Sequence, residues 1–180
     1  MIKKSVWEMG RPDVDAYRRA RKMPVVLVLD NVRSLHNIGS MFRTSDAFAV
    51  EAVWLCGISS PPPSPEIHKT ALGAEDSVAW RYFATTGEAM KALQAEGRTV
   101  CALELTHNSV SLEKYSPESD TRYAIIVGNE VDGVAEDVVA NCDVCLEIPQ
   151  RGTKHSLNVA VSASVALWHF FEKLELCIQK

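Results

Sequence analysis

The residues of this chain best suited to chemistry gather in two stretches. In Val127-Gly128-Asn129-Glu130-Val131-Asp132-Gly133 an apolar run ends in a turn, where two glycines let backbone approach a ligand and Glu130 offers a carboxylate acceptor. Eighteen residues beyond Glu130, Ile148-Pro149 opens a polar loop that runs through Arg151, Gly152, Lys154, His155 and Ser156 into Leu157-Asn158-Val159. Pro149 fixes the chain and Gly152 permits tight bending, so the loop's backbone N–H and C=O groups suit a heterocycle. In an open α/β sheet, ligand sites collect at the carboxyl ends of strands, and both stretches are of that kind. Asn37 and Arg43 form a third candidate pair. A guanidinium can hold a phosphate bidentately and stabilise a developing oxyanion. Read locally, however, Arg43 is equally an ordinary solvated helix arginine, and Asn37 equally a helix cap.

Other chemical candidates carry less. Cys142-Asp143-Val144-Cys145 matches C-x-x-C, but a structural zinc would need a second ligand pair and a thioredoxin-type site a helix start at the first Cys. The pair leads instead into an apolar run, which favours packing. The five cysteines, Cys56, Cys101, Cys142, Cys145 and Cys177, are an odd and scattered set, unlike a secreted disulfide framework. His107, in a polar connection, invites an acid–base role that nothing around it supports. No G-x-x-x-x-G-K-[ST], H-E-x-x-H, G-x-S-x-G or G-x-G-x-x-G motif follows a strand, which argues against several large enzyme classes.

Hydropathy patterning supplies the scaffold. Residues 13–22 have helix-forming content, with Asp13 suited to the first turn, Arg21 and Lys22 to the last, and Pro24 to end the segment. Residues 25–29 are an unbroken apolar run, as expected of a strand covered on both faces of a parallel sheet. Ile38, Met41, Phe42, Ser45 and Phe48 then recur on one helical face, with Asn37 placed to cap it. The same reasoning predicts strands over 50–56, 78–83, 98–105, 123–127 and 144–148. It predicts helices over 66–73 and 86–96, a weak one near 135–140, and a long apolar one from 157 to about 177. Pro61-Pro62-Pro63-Ser64-Pro65 excludes regular structure and reads as a surface loop before it reads as a polyproline ligand. Alternating strands and helices give an α/β domain with a mostly parallel sheet.

The chain has 180 residues, enough for one domain of ordinary size, with 47% hydrophobic residues and a net charge of −4. No secretory signal or membrane span is visible, so the cytoplasm is the expected location. The negative total hides an uneven distribution. Residues 1–22 hold seven bases, Lys3, Lys4, Arg11, Arg18, Arg19, Arg21 and Lys22, against three acids. That front segment reads as a phosphate-contacting patch or as a solvated helix face.

Three motifs in order are more specific than any one of them. Asn37-x-Gly39-x-x-x-Arg43 after the first strand, Gly128-Asn129-Glu130-x-x-Gly133 after a later one, and Ile148-Pro149 followed by Ser156-Leu157-Asn158-Val159 resemble those of the SpoU, or TrmH-like, branch of the SPOUT RNA methyltransferases. The resemblance spans roughly residues 25–171. It implies methyl transfer from S-adenosyl-L-methionine to a ribose 2′-hydroxyl of tRNA or rRNA, by a homodimer, with no metal. It also implies a deep trefoil knot formed by the C-terminal segment, which the general avoidance of knots would argue against. Residues 1–24 would then be a basic extension packed on a single methyltransferase domain, 25–180. With no sizeable extra RNA-binding domain before Val25, a compact substrate such as a tRNA loop is expected.

Carried over by position, the backbone near Leu103, Gly128, Ile148 and Leu157 would cradle the cofactor. Glu130, Ser156 and Asn158 would brace that cradle and the active centre. Arg43 would be the catalytic arginine, with Asn37 its neighbour on the same helix. The chain departs from the family pattern at Gln150, where many relatives have methionine, and at Asn129, where proline or glutamine is common. RNA would be gripped through phosphate contacts from Lys3, Lys4, Arg11, Arg18, Arg19, Arg33, Arg151 and Lys154. The hydroxyl must lose its proton, and a guanidinium with a pKa above 12 is an uncomfortable base, so the RNA phosphate or a water is an alternative acceptor. Two other readings use the same residues: an RNA-binding protein of this fold without activity, and a SPOUT enzyme that methylates a base.

Overall fold

The computed structural model describes residues 1–176 other than Ile2 and Val6; Cys177, and with it the expected end of the last helix, lies outside the described residues. Seven strands form one sheet in the order β3-β2-β1-β6-β4-β7-β5, and every pairing is parallel. In chain order the strands are β1 (Met23–Asp30), β2 (Val50–Cys56), β3 (Trp80–Phe83), β4 (Thr99–Leu103), β5 (Val110–Ser111), β6 (Tyr123–Val127) and β7 (Val144–Glu147). The helices are α1 (Val14–Arg19), α2 (Leu35–Ala47), α3 (Pro65–Ala71), α4 (Ala74–Ser77), α5 (Thr86–Ala95), α6 (Glu136–Asn141) and α7 (Val159–Phe171), the last continued by a π-helical turn, Glu172–Leu176.

The apolar run of β1 is explained by burial on both faces. Val25, Leu27 and Leu29 point into a core shared with α2 and α7, while Val26 and Val28 point into a second core capped by α5 and α6. All of them are less than 2% exposed, so neither face of this strand has room for a polar residue. Tyr17 of α1 belongs to the first core, and Lys22 lies 3.4 Å over its ring. The segment before β1 is thus tied to the sheet by an aromatic anchor.

On α2, Ile38, Met41, Phe42 and Ser45 are buried as their spacing requires, and Phe48 packs at the edge against Trp168 and Phe171. Gly39 has a packing reason. A Cβ there would sit 2.1 Å from Thr70 Oγ1 and 2.3 Å from the Ile67 carbonyl, so α3 can lie this close only against glycine. The helix start differs from expectation. Ser34 is the cap, its hydroxyl accepting from Asn37 N–H at 3.3 Å, and Asn37 stands one turn inside the helix. Either residue type can cap, and only the tertiary bonds of Asn37 decide between them.

Other boundaries shift by a few residues. Asp13 is a cap rather than a first-turn residue, and α1 ends at Arg19, so Pro24 lies inside β1 and does not terminate the helix. The expected helix over 66–73 is two short ones, α3 and α4, broken where Leu72 and Gly73 adopt left-handed backbone. The two-residue β5 was too short to leave a hydropathy pattern. Cys142 and Cys145 bear free thiols with Sγ atoms 3.6 Å apart at the edge of the α5/α6 core, and burial pushes the Cys142 thiol up to about 11. That environment accords with packing. Among the described residues no helix is long and apolar enough to cross a membrane.

Candidate active site

A cavity of about 550 Å³ opens at the carboxyl ends of β4, β6 and β7. Its wall is made of Leu103 to Leu105, Val127 to Gly133, Leu146 to Ile148, Gln150, and His155 to Val159, closed by Ser162 of α7. Leu103, Gly128, Ile148 and Leu157, singled out above as a cradle, all line it, as do Glu130, Ser156 and Asn158. Asn37 and Arg43 do not.

The turn after β6 is stiffened by its own residues. Asn129 and Gly133 exchange backbone hydrogen bonds at 2.9 and 3.0 Å. The Asn129 side chain accepts from Val131 N–H at 2.8 Å and donates to the Asn31 carbonyl, also at 2.8 Å, which ties the turn to the end of β1. Asparagine at this position therefore has a structural task that proline cannot perform. Gly128 is obligatory for steric reasons: a Cβ would lie 2.0 Å from the Gly133 carbonyl carbon. Beneath the turn, buried Asp30 accepts from Ala135 N–H at 2.9 Å and from Thr86 and Asn31 side chains.

Glu130 is a brace. Its carboxylate accepts from Arg33 N–H and Ser34 N–H, each at 3.0 Å, and from the Asn37 side-chain amide at 2.9 Å. Partial burial works to raise its pKa, but these donors outweigh that effect and hold it below the ordinary carboxylate value. Asn158 closes the circuit. Its Nδ2 donates to Asn37 Oδ1 at 3.1 Å, while its Oδ1 caps α7 by accepting from Ala160 and Val161 N–H. The start of α2, the β6 turn and the start of α7 are thereby joined through three side chains distant in sequence. Ser156 lines the cavity without a hydrogen bond among the described residues.

Arg43 stands apart. It is exposed on α2, about 12 Å along the helix axis from Leu35 at 1.5 Å per residue, and makes no hydrogen bond or ion pair among the described residues. It lies one turn beyond Ser40, which with Asn37 and Asn158 lines a second, apolar groove of about 460 Å³ completed by α7 residues Val161, Val165 and Trp168.

The other basic candidates are spread widely. Lys3, Lys4, Arg11, Arg19, Arg33, Arg151 and Lys154 are exposed, and Arg18 donates to the Asp76 carbonyl at 2.5 Å. Arg33 touches the site through its backbone only, and Arg151 and Lys154 flank the cavity on the 148–158 loop. His107 is exposed and lines neither cavity.

Motif reasoning passed over three lining residues. Glu104 accepts from Val134 N–H at 2.9 Å and Leu105 N–H at 3.0 Å, and Glu147 accepts from the Ser109 hydroxyl at 2.5 Å. The third, His155, was legible only as part of a polar loop. The acidic lining has no Lys or Arg among it.

Comparison with known proteins bears on this geometry. The model of the SpoU rRNA Methylase family matches residues 24–168. The chain is 32% identical over 163 residues to the 23S rRNA (guanosine-2′-O-)-methyltransferase RlmB of Vibrio cholerae, covering 89% of this chain and 64% of that protein. It thus spans a little under two thirds of that relative's length. Among solved structures, an AdoMet-bound rRNA methyltransferase from Sinorhizobium meliloti superposes with a TM-score of 0.77 at 26% identity, covering 89% of this chain and 59% of the other. The SpoU methyltransferase AviRb from Streptomyces viridochromogenes, in complex with AdoMet, gives 0.78 at 21% identity over 91% of this chain and 64% of its own, a likeness of fold.

Proposed function

The chain belongs to the SpoU rRNA methylase family, and from that premise we propose that it transfers a methyl group from S-adenosyl-L-methionine to a ribose 2′-hydroxyl of tRNA or rRNA. The observation that carries this reading is the cavity at the β4, β6 and β7 ends, where the second and third motifs of the family form one wall and Asn37 of the first is bonded to it through Glu130 and Asn158. Its volume falls within the roughly 300–1,000 Å³ of small-molecule sites. Its donor set suits a cationic sulfonium: Glu104, Asp132 and Glu147 line it, and no Lys or Arg does.

When bound, the cofactor supplies an already activated methyl group, so the protein's work is positioning and proton removal. Backbone at Leu103, Gly128, Ile148 and Leu157 holds the ligand. Glu130, Asn37 and Asn158 keep the three wall segments in register. Arg43 binds the phosphate beside the reacting ribose and stabilises charge on its oxygen. Lys3, Lys4, Arg11, Arg19, Arg33, Arg151 and Lys154 supply further phosphate contacts, and Arg18 a weaker one.

The homodimer belongs to the same proposal, on the outer face of α7. Ala163 and Ala166 are fully buried in the chain's own core, so the small-residue face is spent within the domain. Val161, Val165 and Trp168, respectively 49, 39 and 49% exposed, form the apolar groove that adjoins Asn37 and Ser40, and a second copy seated there would lie next to both halves of the site. The trefoil knot is carried by the family reading. A cytoplasmic location follows from an RNA substrate.

The test is transfer of labelled methyl from S-adenosylmethionine to unmodified tRNA and rRNA transcripts, followed by alkaline hydrolysis. The expected product is a linkage resistant to alkali. A labelled but alkali-sensitive product would assign base methylation, and no transfer with intact RNA binding would assign the inactive binding protein.

A further inference from the structure

We propose that His155 is the general base that removes the proton from the ribose 2′-hydroxyl; this rests on the methyl-transfer reading above. The residue lines the cavity, is solvent-exposed, and its side chain makes no hydrogen bond among the described residues. It directly precedes Ser156 on the loop that leads into α7, the same loop that carries the exposed bases Arg151 and Lys154.

The acid–base inventory of the site points to this residue. Arg43 carries a guanidinium that holds its proton throughout the physiological range. Glu130 has three donors on its carboxylate, which lower its pKa and make it a weaker base. Glu104 and Glu147 accept from backbone N–H groups and a hydroxyl. Carboxylates as a class are weaker bases than imidazole by roughly two pH units, and imidazole alone among ordinary side chains changes charge between about pH 5 and 8. The charged groups that share the cavity with the ring are Glu104 from β4, Glu130 and Asp132 from the β6 turn, and Glu147 from β7, while its own loop contributes Arg151 and Lys154.

In the step, a ring nitrogen takes the hydroxyl proton and the O–H electron pair remains on the 2′-oxygen. That pair forms the new O–C bond to the methyl carbon. The C–S bond breaks with its pair going to sulfur, which changes from sulfonium to neutral thioether, and the imidazolium later gives its proton to water.

The experiment is a pH profile of single-turnover methylation with labelled S-adenosylmethionine on unmodified transcripts of tRNA and 23S rRNA. Wild-type protein should lose rate towards acid pH, as a reaction that needs a neutral imidazole does. His155→Gln should be slower by roughly 10²–10⁴-fold with that acid limb absent, and His155→Gly should regain rate with added imidazole. Calorimetry should find S-adenosylmethionine affinity unchanged in His155→Gln. An acid limb that persists in His155→Gln with normal cofactor affinity would overturn the assignment. Wild-type protein that neither binds S-adenosylmethionine nor methylates either transcript would overturn the methyl-transfer reading itself, and the base with it.

Discussion

The β6 turn and the exposed face of α2 lie on either side of one proposed reaction and are built on opposite terms. Glu130 is held by three donors from another segment, and Gly128 by backbone at contact distance. Arg43, on the same helix as Asn37, is held by nothing among the described residues. The difference teaches where ordering costs are met. The cofactor wall is ordered by the chain's own bonds, whereas the arginine is left to be ordered by RNA phosphate or by a second copy.

The largest expected effect breaks this comparison at its loose end. Arg43→Ala should lower single-turnover methylation by roughly 10²–10³-fold, as loss of a charge-stabilising donor does, and leave S-adenosylmethionine affinity and thermal stability unchanged. A loss of stability instead would show that Arg43 has intramolecular partners. At the rigid end, Gly128→Ala forces a Cβ to within 2.0 Å of the Gly133 carbonyl carbon. Displacing that turn should weaken cofactor binding by about tenfold or more, corresponding to the lower part of the ~1–3 kcal/mol typical of overpacking, as read by calorimetry.

Glu130→Gln sharpens the comparison through pH. Because the folded carboxyl has a lowered pKa, its contribution to stability is present above the unfolded value of about 4.3 and is lost as pH falls through the folded value. The variant should lose about 1 kcal/mol at neutral pH, a figure discounted for solvent exposure, and its stability should vary less with pH below about 4.3. Chemical denaturation at several pH values checks both. Trp168→Glu should convert dimers to monomers in sedimentation while leaving cofactor affinity unchanged. Smallest of all, Arg151→Ala with Lys154→Ala should reduce the slope of log RNA affinity against log salt by up to about 2, one for each phosphate contact.

How far sequence could reach follows the same division. The buried positions of α2 and the two-faced burial of β1 were readable because period and apolar runs report which faces are covered. The cap at Ser34 was not, since Ser34 and Asn37 satisfy the same local rule and differ only in bonds to residues more than 90 positions away. The motif residues of the cavity wall were legible through their family pattern. Glu104, Glu147 and His155 were missed because a lone carboxylate or imidazole in a loop carries no period, and only the packing of β4 beside β6 and β7 places them together. Which partner the small-residue face of α7 meets was not legible, because small residues suit a second copy and an intrachain core equally well; Ala163 and Ala166 are buried within the chain.

The central claim is that one chain carries a complete cofactor wall while Arg43 serves turnover alone. Calorimetric titration of S-adenosylmethionine into wild-type, Gly128→Ala and Arg43→Ala proteins tests it most directly. Equal affinity is expected for wild type and Arg43→Ala, and weakened or lost binding for Gly128→Ala. Binding lost in Arg43→Ala, or intact in Gly128→Ala, would contradict it.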